Sequence, residues 1–222
     1  MKPHKLITNG LFISFEGMEC AGKSTQSKLI SRCLRDDGYQ VLETREPGGT
    51  QVGEELRHIV KHVCGDEAVC DEAELFIFAA SRAQLACKVI LPFLQAGGIV
   101  ITDRYADSTT AYQGYARGFE LELIRQLNET ATCGRWPDLT ILLDLDVKQM
   151  EDRGQLRLET LLVQDRIEEE SRRFHQKVRD GYLEIARMWP ARFLVIDATE
   201  DRESIHRRIL EHVNNAIAGR NR

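Results

Sequence analysis

Short runs rich in apolar and β-branched residues alternate with amphipathic stretches along most of the chain. The runs lie at 11–15, 39–44, 99–102, 139–143 and 193–196, and their short, mostly apolar character is typical of strands buried on both faces. Between the runs, apolar side chains recur every three or four residues, which predicts helices with one buried face. This alternation predicts an α/β fold in three layers, with a five-stranded parallel sheet flanked by helices.

Two segments between the predicted strands carry more specific predictions. The segment 71–95 begins with Asp71 in the pattern of a helix N-cap, with a glutamate three residues on, and predicts one long helix in which Pro92 is a candidate kink. A polar stretch, 108–118, is expected to precede a helix near 120–130. Each segment lies between two predicted strands, and the carboxyl ends of parallel strands meet at one edge of the sheet.

A glycine-rich loop joins the first predicted strand to the first helix. It matches the phosphate-binding pattern G-x-x-x-x-G-K-S and reads Gly17-Met18-Glu19-Cys20-Ala21-Gly22-Lys23-Ser24-Thr25. Backbone N–H groups at the start of a helix, together with the helix dipole, favour a bound anion. We therefore predict a nucleotide site in this loop, where Lys23 contacts the β- and γ-phosphates and the Ser24 hydroxyl binds Mg²⁺. A glycine turn with a surface lysine is the alternative.

Polar residues follow several predicted strands and should meet at the same edge of the sheet. Asp103 ends the third strand as a Mg²⁺-binding acid does, although a strand-end cap or a salt bridge to Arg104 is the alternative. Arg45 and Arg104 can clamp a second phosphate, and ordinary surface arginines are the alternative. Phe78 and Arg82 share one helix face, which suits a base that stacks and offers a carbonyl, but an aromatic residue there is more often core.

Composition narrows the class of protein. The chain has 222 residues and no linker-like segment, which predicts a single domain over 1–222. Its net charge of −5 argues against binding to nucleic acid or to a membrane surface. Its six cysteines form no CxxC pair, which predicts reduced thiols and a cytoplasmic location. We expect neither a signal peptide nor an apolar run as long as a membrane span.

Several blocks taken together resemble bacterial thymidylate kinases, a family of phosphate-loop nucleoside monophosphate kinases. The similarity extends from about Leu11 to the final helix. The blocks are Glu16-Gly17-x-Glu19-x-Ala21-Gly22-Lys23-Ser24-Thr25, Thr44-Arg45-Glu46-Pro47-Gly48-Gly49-Thr50, Phe78-x-x-x-Arg82, Asp103-Arg104-Tyr105, Ala111-Tyr112-Gln113-Gly114 and Asp165-Arg166-Ile167-Glu168.

This resemblance implies an enzyme that phosphorylates dTMP to dTDP with ATP and Mg²⁺, by direct in-line transfer, for dTTP synthesis. It implies that Phe78 stacks on thymine and that Arg82 bonds the 4-carbonyl. Thr109 and Gln113 would lie near the polar edge of the base, and Tyr105 is counted with the substrate-binding residues.

The resemblance also assigns the sugar and phosphate contacts. Tyr112 would crowd the 2′ position and Glu19 would contact the 3′-hydroxyl. Arg45 and Arg104 would hold the phosphate of dTMP, and Lys23, Arg104 and Glu19 are counted as catalytic. The Glu46–Pro47 bond is expected to be cis, as in relatives.

A charged segment at about 151–165 is interpreted as a lid over the site. Position 20 is Cys, where the family resemblance leads us to expect Arg or Gly, so the lid is expected to supply the catalytic arginine. Arg157 is the first choice and Arg153 the second, although each could also be a solvated surface charge. The stretch from Arg157 to Asp165 is longer than in relatives.

Other functions remain open at this point. The protein could be a kinase for another nucleoside monophosphate or a nucleotide binder that has lost catalysis. It could also be a GTPase-like switch, although the sequence contains no N-K-x-D motif to bind guanine. The resemblance further implies a homodimer formed by helices beside the sheet.

Overall fold

The computed structural model of the protein describes residues 5–62, 68–161 and 170–220, without the side chains of residues 62 and 157–161. Its five strands are β1 (Leu11–Glu16), β2 (Val41–Arg45), β3 (Ile99–Asp103), β4 (Leu139–Asp144) and β5 (Phe193–Asp197). They form one sheet in the order β2-β3-β1-β4-β5, and every neighbouring pair is parallel. The predicted five-stranded parallel sheet is confirmed, and each strand ends one residue later than predicted.

The strand register gathers polar residues at the carboxyl edge of the sheet. β1 lies at the centre, and its Phe15 is level with Asp103 of β3, which is level in turn with Arg45 of β2. Glu16 and Asp144 end β1 and β4 at the same edge. The predicted phosphate-binding and metal-binding residues that follow strands therefore lie at one edge of the sheet.

Helices cover both faces of this sheet. Alternation along β1 places Phe15 in one buried cluster and Phe12 in another, as a strand buried on both faces requires. The helices are α1 (Lys23–Asp36), α2 (Gln51–His62), α3 (Asp71–Leu85), α4 (Leu91–Gln95), α5 (Ala106–Thr109), α6 (Leu121–Ala131), α7 (Val147–Leu161), α8 (Arg172–Met188) and α9 (Arg202–Arg220).

The long helix predicted over 71–95 starts differently from the expected N-cap pattern. Cys70 is the N-cap and Asp71 is already helical. The Glu74 carboxylate accepts hydrogen bonds from the Gln113 amide and from Arg117. The predicted N-cap is therefore wrong, because this glutamate serves tertiary contacts.

The same helix is irregular in its second half. Five residues in π-helical turns, Ala86–Ile90, join α3 to α4, while Pro92 stands in the first turn of α4, where a missing N–H is tolerated. By length and composition Asp71–Gln95 is apolar enough to cross a membrane, contrary to expectation. About a third of its apolar window is buried, and α3 packs against α2 and α6 and buries the charged Arg82.

The polar stretch 108–118 is helical, which the sequence did not predict. α5 continues into π-helical turns over Thr110–Arg117, and Gly118 ends them with a φ of +90°. Buried polar residues such as Thr109 and Gln113 hide the apolar periodicity, since this helix turns polar groups inward. The helix predicted next is confirmed as α6.

The charged stretch that follows β4 is helical in its first part. α7 spans Val147–Leu161, and α8 begins after the N-cap Ser171, whose hydroxyl accepts from the Phe174 N–H at 3.2 Å. Residues 162–169 lie outside the described residues, and with them the block Asp165-Arg166-Ile167-Glu168.

Candidate active site

The phosphate loop has a backbone that only glycine permits at key points. Gly17 has a φ of +129°, and Gly22, the N-cap of α1, has a φ of +93°. A Cβ on Gly17 would lie 2.4 Å from the backbone oxygen of Leu143. Lys23 donates from Nζ to the Met18 carbonyl at 2.7 Å, which ties the end of the loop to its beginning.

Lys23 is also electrostatically unusual. Burial lowers its pKa to about 8, and the charge of Arg104 acts in the same direction, while Asp103 and Glu19 oppose it. Two cations held close together in a buried site are stabilised when a polyanion binds between them.

The next residue of α1 meets the end of β3. Ser24 donates from Oγ to Oδ2 of Asp103 at 2.5 Å. A hydroxyl and a carboxylate oxygen are ligands that suit Mg²⁺, which otherwise keeps water and substrate phosphates. Across 5–62, 68–161 and 170–220, His, Cys, Asp and Glu form no group of three that could hold a metal. The donor set therefore fits a Mg²⁺ ion that arrives with a nucleotide.

Arg104 follows β3 with a φ of +74° and joins the phosphate loop to the rest of the site. It donates to Glu19 at 2.6 Å and to the hydroxyls of Tyr112 at 3.0 Å and Tyr182 at 3.1 Å. Burial disfavours its charge, but Tyr112 and Glu19 keep the pKa of Arg104 well above its usual value. Burial opposes ionisation of Glu19 too, but Arg104 and Lys23 hold the pKa of Glu19 below its usual range.

Glu16, the last residue of β1, is a buried acid at the site to which sequence reasoning gave no role. It accepts from the Tyr105 N–H at 2.7 Å, the Ser108 hydroxyl at 2.6 Å and the Tyr182 hydroxyl at 3.0 Å. Burial, and then the charge of Asp107, raise its pKa to about 8. A charged residue at the end of an otherwise apolar buried strand was the available signal.

A cavity of about 500 Å³ connects the phosphate loop to a second cluster of side chains. Met18 and Ala21 are buried in the core behind the loop, and with Gly17 they are not among the described wall residues. The predicted site residues that do line the cavity are Glu19, Cys20, Gly22, Lys23, Ser24, Thr25, Arg45, Phe78, Arg82, Asp103, Arg104, Thr109, Tyr112, Gln113 and Arg153.

Arg82 lies in the wall of this cavity but is almost fully buried. Its Nε donates to Glu46 at 2.9 Å, Nη1 donates to Asn128 at 2.9 Å, and Nη2 donates to Thr109 and to the Tyr105 carbonyl. These bonds use four of the five N–H groups of a guanidinium. Burial raises the pKa of Glu46 to about 7, although Arg82 acts in the opposite direction.

Phe78 stands one turn before Arg82 and is half-buried in the cavity wall. Gln113 donates from its amide to Glu74 at 2.9 Å, which leaves its carbonyl oxygen as the group that can face a ligand. Tyr105 differs from expectation. Its ring is fully buried and packs edge-on against Phe12, with centroids 4.8 Å apart, so its side chain has a packing role.

The end of β2 adds a second cationic wall. Arg45 is exposed and donates to both carboxylate oxygens of Glu54, at 2.9 and 2.8 Å. Arg57, which sequence reasoning did not select, lines the cavity and donates to the Pro47 carbonyl at 2.9 Å. The Glu46–Pro47 bond is cis, as expected.

The two lid arginines differ in what the structure describes. Arg153, on α7, donates to the carbonyls of Cys20 at 3.3 Å and Ala198 at 2.9 Å, so it stands beside the phosphate loop. The side chain of Arg157, the first choice from sequence, lies outside the described residues.

Comparisons with known proteins identify the family of this chain. The family profile Thymidylate kinase matches residues 15–209. A thymidylate kinase of Nitratidesulfovibrio vulgaris (strain Miyazaki F) is 44% identical over 94% of this chain and 98% of its own length. One of Dehalococcoides mccartyi is 46% identical over 92% and 96% of the two chains. The crystal structure of thymidylate kinase from Ehrlichia chaffeensis has a TM-score of 0.73 and 34% identity, covering 92% of this chain and 98% of that chain.

The parallel sheet, the glycine loop at the start of α1 and the acid at the end of β3 define a phosphate-loop nucleotide-binding enzyme. The family match narrows this class, because it covers most of the chain and relatives are more than 40% identical. The chain belongs to the thymidylate kinase family.

Proposed function

We propose that this enzyme transfers the γ-phosphoryl group of ATP to dTMP, giving ADP and dTDP for dTTP synthesis. The main support is that one cavity has the phosphate loop on one wall and the Phe78 ring beside the Arg82 guanidinium on another. Two anionic substrates can meet end to end there, and positioning together with charge neutralisation is the catalysis that phosphoryl transfer requires.

The base would lie against Phe78, with the fifth N–H of Arg82 bonded to the 4-carbonyl. Support comes from the four bonds that already fix the Arg82 guanidinium, because a fixed donor rejects a base that lacks the matching acceptor. The Gln113 carbonyl can accept from the ring N–H, and Thr109 stands beside the same edge.

The sugar would lie over Tyr112, whose ring crowds the 2′ position, with Glu19 at the 3′-hydroxyl. Arg104 and Arg45 would bind the phosphate of dTMP. In the structure these two arginines pair with Glu19 and Glu54, so substrate phosphate competes with carboxylates for them.

Lys23, and Ser24 with Asp103, would act on the nucleotide. Ser24 and Asp103 would hold the Mg²⁺ that accompanies ATP, and the ion would supply positive charge to the phosphates. Lys23 places a further positive charge at the transferring group, and transfer is direct and in line with no covalent enzyme intermediate. For the lid arginine we now favour Arg153, since its guanidinium already contacts the Cys20 carbonyl of the phosphate loop.

A panel of nucleoside monophosphates tests this proposal. With ATP and Mg²⁺, dTMP should give ADP and dTDP faster than dUMP, dCMP or AMP react. Phe78→Ala should raise the KM for dTMP at least about tenfold and leave the KM for ATP unchanged, because only the smaller substrate stacks there. Equal rates with all four monophosphates, or none with dTMP, would refute the assignment.

The lid assignment has its own test. Arg153→Ala should lower kcat about 100-fold or more, as the loss of one transition-state cation does, whereas the exposed Arg187→Ala should not. A loss of kcat in Arg157→Ala with none in Arg153→Ala would reverse the choice.

We also propose a single cytoplasmic domain over 1–222, with a lid at about 151–165, that forms a homodimer. Exposed Val52 and Ile59 on α2 and Phe76 on α3 support an apolar interface between copies, since these helices pack side by side. Sedimentation should give a dimer that Phe76→Asp dissociates. A monomer at micromolar concentration would contradict it.

A further inference from the structure

Two exposed cysteines far apart in sequence meet outside the active site. The sulfur of Cys87 lies 2.9 Å from the sulfur of Cys133. Cys87 belongs to the π-helical turns between α3 and α4, and Cys133 follows the end of α6. A disulfide bond is 2.03–2.05 Å long, so closing the pair requires a relative movement of about 0.9 Å.

The backbone holds Cys133 in an uncommon conformation. It has a φ of +54°, in the left-handed region where a helix usually ends with glycine, and its N–H donates to the Thr130 carbonyl at 3.2 Å. Gly134 follows, with its N–H bonded to the Glu129 carbonyl. These bonds hold the backbone of the turn that carries Cys133.

We propose that Cys87 and Cys133 form a reversible intramolecular disulfide when the protein meets a hydroperoxide. The Cys87 thiolate attacks the peroxide, the O–O bond breaks, and a sulfenic acid and hydroxide form. Cys133 then attacks that sulfur, the S–O bond breaks, and the S–S bond forms as water leaves. The two thiols lose two electrons and two protons, and one H₂O₂ is reduced to two waters.

The order of attack follows from the contact between the sulfurs. The hydrogen bond to Cys87 raises the pKa of Cys133, with burial as a smaller cause. A thiol that holds its proton in such a contact is the poorer first nucleophile, so the first attack is assigned to Cys87 and the resolving step to Cys133.

The bond would link two elements that hold Arg82. Cys87 lies just over one turn after Arg82 on the same continuous helix, and the turn of Cys133 follows α6, which carries Asn128. Arg82 donates to Asn128 at 2.9 Å, so the disulfide would fix the two partners of that bond relative to each other. The enclosed loop spans 46 residues of sequence separation, and restricting it in the unfolded chain should raise the Tm by about 5–15 °C.

The test uses the full chain, treated with H₂O₂ and then with an alkylating reagent. Peptide mapping without reductant should find one peptide pair joined through Cys87 and Cys133, and dithiothreitol should reverse both this link and the rise in Tm. Cys87→Ser and Cys133→Ala should abolish the link and the rise. Cys70→Ser, at another exposed cysteine, should keep both.

Other outcomes overturn the proposal. They are a crosslink between two chains on a non-reducing gel, or oxidation of Cys87 to a sulfinic acid while Cys133 is still alkylated. Because the link is detected in the wild-type chain itself, poor folding of a variant does not affect the conclusion. The mapping involves no substrate, so its result is separate from that of the kinase assays.

Discussion

Arg82→Met is the substitution whose effect the structure determines most closely. Arg82 and Glu46 form an ion pair at 2.8 Å with side chains only 1% and 3% exposed. One oxygen of Glu46 is buried with no hydrogen-bond partner among the described residues, so both of its contacts to Arg82 go through the other oxygen. Methionine fills much of the same volume but leaves the carboxylate alone.

Removing one partner of a buried ion pair costs about 3–5 kcal/mol of unfolding free energy. The cost should depend on pH. Burial raises the pKa of Glu46 to about 7 even beside Arg82, and without that charge the pKa rises further. Because the pKa of Glu46 is higher in the folded protein than in the unfolded chain, its protonated form contributes to the unfolding free energy. This contribution is complete below the pKa of the unfolded chain and is lost as the pH rises through the pKa of the folded protein.

Above pH 7, Glu46 in the folded variant would still hold a proton that the folded wild type has released. The destabilisation caused by Arg82→Met therefore grows by about 1.4 kcal/mol per pH unit in this range. The cost of Arg82→Met should therefore be about 2 kcal/mol greater at pH 8.5 than at pH 6. Urea unfolding of the ligand-free protein, followed by fluorescence of its two tryptophans, measures this difference.

Two further variants make the test specific. Arg82→Met combined with Glu46→Gln should recover part of the loss and remove its pH dependence, because a neutral amide costs less to bury. Arg125→Met breaks an arginine–glutamate pair that is exposed, and it should change stability little at either pH. An equal cost for Arg82→Met at pH 6 and pH 8.5 would refute the reasoning.

Three other predictions use the same rim of the sheet. Asp103→Asn should lower kcat at least about 100-fold and raise the Mg²⁺ concentration required, whereas Asp144→Asn at the end of β4 should change neither; titration of Mg²⁺ at saturating ATP checks this. Glu16→Gln should flatten the decline in stability that the wild type shows between about pH 5 and 8, since the folded carboxyl keeps its proton up to about pH 8; urea midpoints across that range would expose an unchanged slope. Gly17→Ala should abolish ATP binding in calorimetry, because its Cβ would lie 2.4 Å from the Leu143 backbone oxygen; wild-type affinity would show that the loop can shift.

The parts of the fold that could be predicted are those where buried positions carry apolar residues and exposed positions carry polar ones. The strand at 11–15 is apolar because both faces of the sheet are covered, so its pattern identified β1 to within one residue. The phosphate loop could be predicted for another reason, since the close approach of Gly17 to Leu143 leaves little choice of side chain.

Secondary structure could not be predicted where a helix turns polar side chains inward toward the cavity. The segment 108–118 looked like a loop because its helix directs Tyr112 and Gln113 into the cavity, which reverses the usual pattern of polarity. The position of the Tyr105 side chain could not be predicted either. The block that contains Asp103 and Arg104 does not indicate where the third side chain points, and the structure buries the Tyr105 ring away from the cavity wall.

Contacts between segments that are distant in the sequence were harder still to predict. The Cys87–Cys133 contact joins positions that share no spacing pattern, and the bond from Arg82 to Asn128 likewise joins two helices. Such pairs follow from how α3 packs on α6, so they become visible only once the sheet has set the positions of its helices. The proposed recognition of the base would depend on the same packing, because the contact between these helices holds the Arg82 guanidinium that is proposed to bond the base.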